Sequence, residues 1–181
     1  MNKILVVVDM QNDFITGSLG TPEAQAIVPN VRKKIREAVK DGDLIFYTRD
    51  THNPDYLNCT KEGKKLPVEH CIYRTDGWQI PEDLLPPFTY ENAWILDKYT
   101  FGCVDLPSKI KRELEWHICD EIELVGLCTD ICVVSNALLL KAAFYEDVEI
   151  SVDATCCAGV TPETHEAALK TMEMCQINVK R

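Results

Sequence analysis

The feature that most constrains the fold is a repeated alternation of short apolar runs with longer segments of helical periodicity. The apolar runs span residues 4–8, 44–48, 93–96, 122–125 and 148–152, with a shorter one at 177–179. Continuous runs of this length, rich in β-branched residues, are typical of strands buried on both faces. Helical spacing of apolar residues follows over 27–40, 106–119 and 161–174. The alternation predicts a doubly wound α/β fold: a mostly parallel six-stranded sheet with helices on both faces.

The length and composition narrow the class of protein. A chain of 181 residues fits one domain, spanning residues 1–181. A net charge of -10 argues against nucleic acid as a partner, because phosphates would be repelled. No segment approaches the roughly 20 apolar residues of a membrane span, and the N-terminus lacks the apolar core of a signal peptide. We therefore expect a cytoplasmic protein whose nine cysteines are reduced.

Chemically capable residues follow the predicted strands. In a parallel sheet of this kind, ligands bind beyond the carboxyl ends of the strands, near the point where the strand order reverses. The residues at those ends are Asp9, Asp50, Lys98, the turn before Cys132, and Asp153. The sequence thus predicts one functional edge of the sheet.

Cys132 lies in the stretch that connects the fourth strand to its helix. Gly126 interrupts the apolar run, Thr129 or Asp130 is expected to cap a helix, and the helical pattern extends from residue 131 to about 146. A thiol in the first turn lies at the positive end of the helix dipole, which favours the thiolate. The alternative is a buried structural thiol, since free cysteine is among the most buried residue types.

Asp9, Lys98 and Cys132 form a chemically sensible set. A carboxylate close to an ammonium and a thiol could take the thiol proton, while the ammonium holds the other two groups in place. The backbone N–H groups of Cys128 and Cys132 could form an oxyanion hole. Taken singly, Asp9 could instead cap a loop and Lys98 could be a solvated lysine. Their shared position at one edge of the sheet favours the catalytic interpretation.

A second cluster predicts a metal site. Asp50 and His52 are two residues apart on an extended segment, so their side chains point to the same side. His70 lies eighteen residues further along a loop of little periodicity, and Glu62 in that loop is a candidate additional ligand. Mixed oxygen and nitrogen ligands suit zinc, manganese or iron. Each histidine alone could equally be an ordinary hydrogen-bonded side chain.

Several segments together resemble the nicotinamidases of the isochorismatase-like cysteine hydrolase superfamily. They occur in the family's order, and together they span nearly the whole chain. The segments are VVVDMQNDF, TRDTHNPDY, LPVEHC, LDKYTFG, VGLCTDICV and DATCCAGVTPETHEAAL.

The resemblance implies a specific chemistry for these residues. It implies a catalytic triad of Asp9, Lys98 and Cys132, with a cis peptide bond between Leu127 and Cys128 beside the oxyanion hole. It implies one divalent metal ion, zinc before manganese or iron, on Asp50, His52 and His70. The activity implied is hydrolysis of nicotinamide to nicotinate and ammonia through a thioester, by a homo-oligomeric enzyme.

Two departures from the family pattern leave the substrate open. The sequence leading to His70 is LPVEH, without the tryptophan of the family's Trp-Pro-x-His, and residues 74–77 read RTDG where many members have Gly-Thr-x-Gly. Phe14 and Trp78 are candidates for ring-stacking walls of the pocket, or equally for core residues. The alternatives are a hydrolase of another small amide or ureide, and a non-catalytic metal or thiol sensor with redox-active Cys156 and Cys157.

Overall fold

Six parallel strands form the single sheet of the computed structural model, which describes residues 3–115, 118–144 and 148–181. Their order is β3-β2-β1-β4-β5-β6. Every strand pair is parallel, so the predicted doubly wound fold is confirmed. The strands are β1 Lys3–Val8, β2 Leu44–Asp50, β3 Ala93–Lys98, β4 Glu121–Leu127, β5 Glu149–Ala158 and β6 Asn178–Lys180.

The helices cover both faces of the sheet. The long helix α2 packs on one face, and α5, α6 and α7 pack on the other. None of the described helices is both long and apolar enough to cross a lipid bilayer. The helices are α1 Asn12–Ile15, α2 Pro22–Asp41, α3 Tyr56–Cys59, α4 Lys61–Lys65, α5 Leu106–Leu114, α6 Val134–Ala143 and α7 Pro162–Met174, with a 3₁₀ turn Glu82–Leu84 and a π-helical turn Thr129–Val133.

The alternation of side chains along β1 divides the core into two layers. Val6 and Val8 point to the layer under α5–α7, whereas Leu5 and Val7 point to the layer under α2. All four are buried, because a central strand of a doubly wound sheet has helices on both sides. This placement explains the unbroken apolar run in the sequence.

Capping residues decide where α2 begins and ends. The Thr21 side chain accepts a hydrogen bond from the Ala24 N–H, and Pro22 occupies the first helical position. Gly42 ends the helix in the left-handed conformation, at φ 77°, as its position in the sequence predicted. The helix starts five residues before the predicted residue 27, because its first turn is largely polar.

The other helix boundaries also differ from the predictions. Helix α5 ends at Leu114 instead of residue 119, and α6 ends at Ala143, whereas the predicted end near residue 146 lies outside the described residues. The loop predicted to carry Glu62 and His70 contains the short helices α3 and α4, and the short helix α1 follows β1. Helices of four or five residues are too short to produce a recognisable period.

Gly126 does not interrupt β4, contrary to the prediction. It pairs with Val8 of β1 inside the strand, at φ 117°, and a Cβ atom there would lie 2.1 Å from the Val8 carbonyl oxygen. The glycine therefore allows β4 to approach β1 closely just before the residues of the functional edge.

The predicted helix cap at Thr129 or Asp130 is also wrong. The π-helical turn starts after Cys128 without a side-chain cap. The Thr129 hydroxyl instead lies 2.8 Å from His165 Nδ1, and the Asp130 carboxylate accepts the Val160 N–H. Both side chains thus tie the turn to the start of α7.

Substituting Gly126 tests the need for this close approach. Gly126→Ala should lower the free energy of unfolding by about 2–5 kcal/mol, because it adds a backbone clash to an unfavourable φ. Gly42→Ala is the matched control, since its added Cβ meets nothing within 4 Å and only the left-handed φ costs about 1–2 kcal/mol. Urea unfolding measures both. Equal losses would contradict the role of Gly126.

Candidate active site

The candidate site lies at the carboxyl ends of the four strands β3, β2, β1 and β4. The strand order reverses between β1 and β4, so the loops that leave these two strands diverge and open a crevice. Asp9 follows β1, Asp50 and Lys98 end β2 and β3, and Cys132 lies in the π-helical turn after β4. The structure therefore brings together the strand-end residues singled out in the sequence, apart from Asp153. The prediction that Asp153 follows a strand end is wrong, because β5 continues to Ala158, and the Asp153 carboxylate contacts Lys34 of α2 at 2.7 Å.

Lys98 is the central charged group of this edge. Its ammonium nitrogen lies 2.7 Å from Asp9 Oδ2, and 3.5 Å from both Cys132 Sγ and Asp50 Oδ1. The side chain is almost fully buried. Burial acts to lower the pKa of Lys98, but the carboxylate of Asp9, Cys132 and the carboxylate of Asp50 outweigh it and raise the pKa. The lysine therefore stays charged inside the protein.

Asp9 is held as a buried carboxyl group with one oxygen available. The Thr48 hydroxyl donates to Oδ1 at 2.7 Å, and the Asp9 backbone is left-handed at φ 48°, a region in which aspartate is enriched. The Lys98 ammonium lies 2.7 Å from Oδ2, and a carboxylate oxygen with one such partner keeps a second lone pair. Burial raises the pKa of Asp9, although the Lys98 ammonium opposes the shift. A carboxyl group in this environment accepts a proton readily.

The surroundings of Cys132 disfavour the thiolate form. Burial and the negative charge of Asp9 raise its pKa well above the usual value, and Lys98 only partly opposes them. This direction is opposite to the one that a helix dipole favours, and the residue is only 6% exposed. Nucleophilic attack by this sulfur requires a base. The peptide bond between Leu127 and Cys128 is cis, as predicted.

Three buried side chains form a group that can hold a metal ion. Candidate ligand atoms of Asp50, His52 and His70 all lie within 4.8 Å of one another. His52 Nε2 is 2.9 Å from Asp50 Oδ2, yet its geometry satisfies no hydrogen bond and the atom is buried. Two atoms that both face a shared metal position can lie this close together without forming a hydrogen bond. The donor set thus fits a divalent cation.

Hydrogen bonds around His70 determine which nitrogen is free. Nδ1 lies 2.8 Å from the Val68 carbonyl oxygen, which can only accept, so Nδ1 carries the proton. Nε2 therefore presents its lone pair, 3.6 Å from Asp50 Oδ2. The Tyr56 hydroxyl contacts the same Nδ1 at 2.8 Å, and its ring stacks on His52 at a centroid distance of 4.1 Å. Such outer contacts orient metal-binding histidines.

Glu62 lies at the border of this cluster. Its Oε1 atom is 3.8 Å from His52 Nε2, and its side chain is partly exposed on α4. Burial raises the pKa of Glu62, and the neighbouring Asp50 carboxylate adds to the shift. Glu62 remains outside the compact group of three ligands, so its prediction as a further ligand stays a prediction.

A cavity of about 240 Å³ opens onto both the thiol and the metal cluster. Pockets for drug-sized ligands are larger, roughly 300–1,000 Å³, so this cavity suits a smaller molecule. Its polar lining consists of Asp50, Glu62, His70, Thr21, Cys128 and Cys132, and its apolar lining includes Phe14, Leu19, Leu66, Phe101, Ile131 and Val160.

The two predicted aromatic walls have different positions. Phe14 lines the cavity, and its ring lies 5.6 Å from that of His70. Trp78 is not among the cavity residues: it is buried, its Nε1–H donates to the Thr51 hydroxyl, and the Arg49 guanidinium stacks on its ring. Its indole therefore supports the segment that carries the metal ligands, as the core alternative predicted. Leu66 occupies part of the cavity wall in the segment that leads to His70.

Sequence reasoning missed several buried polar residues of the site. Gln11 and Asn136 are both fully buried, and each makes three hydrogen bonds to backbone groups of site segments. Tyr56 contacts both histidines of the metal cluster. Gln11 follows Asp9 by two residues, which was the one available signal. Asn136 and Tyr56 lie in α6 and α3, away from the predicted strand ends, so no such signal marked them.

A family model described as the isochorismatase domain matches residues 3–180 of the chain. The chain belongs to the isochorismatase family. It is 26% identical to the nicotinamidase of Saccharomyces cerevisiae, over 98% of both chains. The structure of the nicotinamidase/pyrazinamidase PncA from Bacillus subtilis superposes over 100% of both chains, with a TM-score of 0.85 and 26% identity. The pyrazinamidase of Pyrococcus horikoshii, solved in complex with zinc, gives a TM-score of 0.82 with 30% identity over 100% and 99% of the two chains.

These likenesses identify an isochorismatase-family hydrolase that acts on amide bonds. The N-carbamoylsarcosine amidase of Thermoplasma acidophilum is also similar, with a TM-score of 0.76 and 27% identity over 100% and 96% of the chains.

The sensor alternative based on Cys156 and Cys157 loses its physical basis. Cys156 belongs to the core layer under α2, whereas Cys157 belongs to the layer under α5–α7, so the thiols point to opposite faces of β5. All nine cysteines are unpaired. Burial raises the pKa of Cys156 to about 11, which keeps it a thiol at neutral pH.

Removal of a predicted ligand tests the metal cluster. His52→Ala should weaken zinc binding by more than the roughly 10–100-fold typical of losing an outer contact, because it removes a donor atom itself. Isothermal titration of the metal-stripped protein with zinc measures the affinity. His165→Ala is the control, since this half-buried histidine contacts Thr129 and not the cluster. Equal affinities for the two variants would contradict the assignment.

Proposed function

We propose that the chain is a metal-containing nicotinamidase, which hydrolyses nicotinamide to nicotinate and ammonia through a thioester on Cys132. The observation that carries the proposal is the single small cavity lined by both Cys132 and the metal cluster. One molecule in that cavity can contact the thiol at one end and the metal cluster at the other. A small aromatic amide with a ring nitrogen has a group suited to each: the amide carbon for the thiol, and the ring nitrogen for the metal cluster.

The first half of the reaction forms the acyl-enzyme. Asp9 takes the proton of the Cys132 thiol, and the sulfur attacks the amide carbon to give a tetrahedral intermediate. The backbone N–H groups of Cys128 and Cys132 stabilise the oxyanion. The intermediate then expels the amine, which receives the proton from Asp9 and leaves as ammonia. Cys132 is left as a thioester.

The second half releases the acid. Asp9, again a carboxylate, takes a proton from water, which attacks the thioester carbon. The new tetrahedral intermediate expels the Cys132 sulfur, and the proton on Asp9 returns to it. Lys98 stays charged throughout, because three neighbouring groups hold its pKa high despite burial. Its ammonium offsets the negative charge that moves between Asp9 and Cys132.

The metal cluster orients the substrate in this scheme. Asp50, His52 and His70 would hold one divalent ion, zinc by the likeness to the zinc complex of the Pyrococcus protein and by the donor types. When bound there, the ion would supply a Lewis-acidic contact for a ring nitrogen of the substrate. Phe14 forms an apolar wall beside His70 for the ring.

The charges around the cavity favour a neutral substrate. Among the described residues that line it, there is no lysine or arginine, whereas Asp50 and Glu62 are both acidic. A carboxylate substrate such as N-carbamoylsarcosine would gain no ion pair from these side chains. Hydrolysis of another small amide or ureide is the second candidate, supported by the likeness to the Thermoplasma amidase and by Leu66 where many nicotinamidases have an aromatic residue.

Substitutions in the triad test the thioester route. Cys132→Ala should abolish ammonia release, and Asp9→Asn should reduce kcat by about 10²–10⁴-fold through loss of the base. Cys59→Ser is the control, because Cys59 is exposed on α3. A coupled ammonia assay measures turnover. Near-full turnover by Cys132→Ala would contradict nucleophilic catalysis.

A substrate panel with and without chelator tests the substrate and the metal. We expect nicotinamide and pyrazinamide to be hydrolysed with kcat/KM at least about 10²-fold above N-carbamoylsarcosine, since both have a ring nitrogen for the proposed metal ion and a ring for the apolar wall at Phe14, and N-carbamoylsarcosine has neither. Metal removal should raise KM, and zinc should restore it. Preference for the ureide would replace the first candidate with the second, and unchanged kinetics after complete metal removal would refute the metal's role.

Three further expectations belong to this proposal. We infer that residues 1–181 act as one domain, that the protein is cytoplasmic, and that it forms a homo-oligomer, in keeping with the resemblance. Light scattering of the purified protein measures the oligomeric state.

A further inference from the structure

Residues 9–14 run alongside the whole candidate site. Asp9 provides the proposed base and Phe14 provides a cavity wall, whereas the side chains of Gln11 and Asp13 point towards other segments. The contacts of Gln11 and Asp13 take no part in the proposed chemistry. They do reach both segments that carry the metal ligands.

Gln11 holds the backbone of Asp50. Its Nε2 donates to the Asp50 carbonyl oxygen at 2.9 Å, and its Oε1 accepts the Asp50 N–H at 2.7 Å. A third bond, from Nε2 to the Trp78 carbonyl oxygen, is 2.9 Å long. Gln11 is fully buried, so water cannot replace these bonds if the side chain is removed. The peptide groups on both sides of this ligand are thus fixed to one side chain.

Asp13 holds the segment of the two histidines. Its Oδ2 accepts the N–H of Cys71, the residue after His70, at 2.7 Å. The Cys71 carbonyl oxygen in turn accepts the N–H of His52 at 2.9 Å. Gly77 packs against the same carboxylate, since a Cβ there would lie 2.1 Å from Oδ2. One carboxylate therefore fixes the backbone that carries both histidines.

We propose that Gln11 and Asp13 are positioning residues that assemble the metal site and fix its location relative to the base Asp9. Gln11 sets the position of Asp50, and Asp13 sets the position of His52 and His70. Because the same short segment carries Asp9, a displacement of the metal ligands relative to the base requires these bonds to break. The inference rests on the proposed function only for the role of Asp9.

Zinc affinity of the full-length, metal-stripped protein is the primary readout. Gln11→Met keeps the side-chain length and removes three hydrogen bonds, so we expect the Kd for zinc to rise by about 10–100-fold. Asp13→Ala should raise it similarly, and Asp13→Asn should recover most of the affinity because it keeps an oxygen that accepts the Cys71 N–H. Competition with a chromophoric chelator measures each value without any substrate.

Asn136→Leu is the matched control for loss of buried hydrogen bonds. Asn136 is as buried as Gln11 and also makes three bonds, to Cys103 N, Phe101 O and Cys132 O. It contacts the nucleophile's turn and not the metal segments, so we expect its zinc Kd to stay within about 3-fold of wild type even at equal loss of stability. Urea unfolding of all variants checks that comparison.

Two results would overturn the inference. One is a zinc Kd for Gln11→Met equal to that of Asn136→Leu, which would indicate general loosening. The other is an Asp13→Asn variant as weak as Asp13→Ala. If Gln11→Met does not fold, the two Asp13 variants decide, because Asp13 is only half-buried. A separate outcome is that the variants differ in zinc Kd as expected while the wild-type protein deamidates no amide. That result would refute the proposed function and leave this inference standing.

Discussion

The buried ammonium of Lys98 is the interaction on which the rest of the site depends. Two carboxyl groups, Asp9 and Asp50, approach the same nitrogen from neighbouring strands, and the Cys132 sulfur lies 3.5 Å away. Removing one partner of a buried ion pair commonly costs about 3–5 kcal/mol, because the other charge stays desolvated. The lysine thus allows two carboxyl groups to occupy one dry edge of the sheet. It also links the proposed nucleophile with the metal cluster.

Desolvation gives this site its chemical character. Burial raises the pKa of both Asp9 and Cys132, so in each group it disfavours the charged form. The proposed attack by the Cys132 sulfur therefore requires Asp9 to take the thiol proton. A site arranged in this way limits unwanted reactions of an exposed thiolate. Cys132 differs from the other eight cysteines in its contact with a lysine. Among the described contacts, only its sulfur lies within hydrogen-bonding distance of an ammonium group, that of Lys98.

Strand-end residues could be predicted because a parallel sheet places them by topology alone. Asp9, Asp50 and Lys98 each follow an apolar run, and runs of this kind have few other ways to fold. Gln11, Tyr56 and Asn136 could not be found in this manner, because their roles come from hydrogen bonds or ring contacts with residues 4 to 67 positions away. Trp78 was ambiguous for a related reason: a buried indole can line a pocket or support it.

The sequence by itself determined the fold class and the placement of Asp9, Asp50 and Lys98 at the ends of neighbouring strands, because alternating periodicity is a local property of the chain. Only the tertiary structure decided the direction in which the pKa of Cys132 moves, since burial by the surrounding layers raises it. Tertiary packing also decided that Gly126 continues β4, because its neighbour Val8 belongs to another strand. The same holds for the segment 9–14, whose polar side chains became connectors once distant backbone groups came within hydrogen-bonding distance.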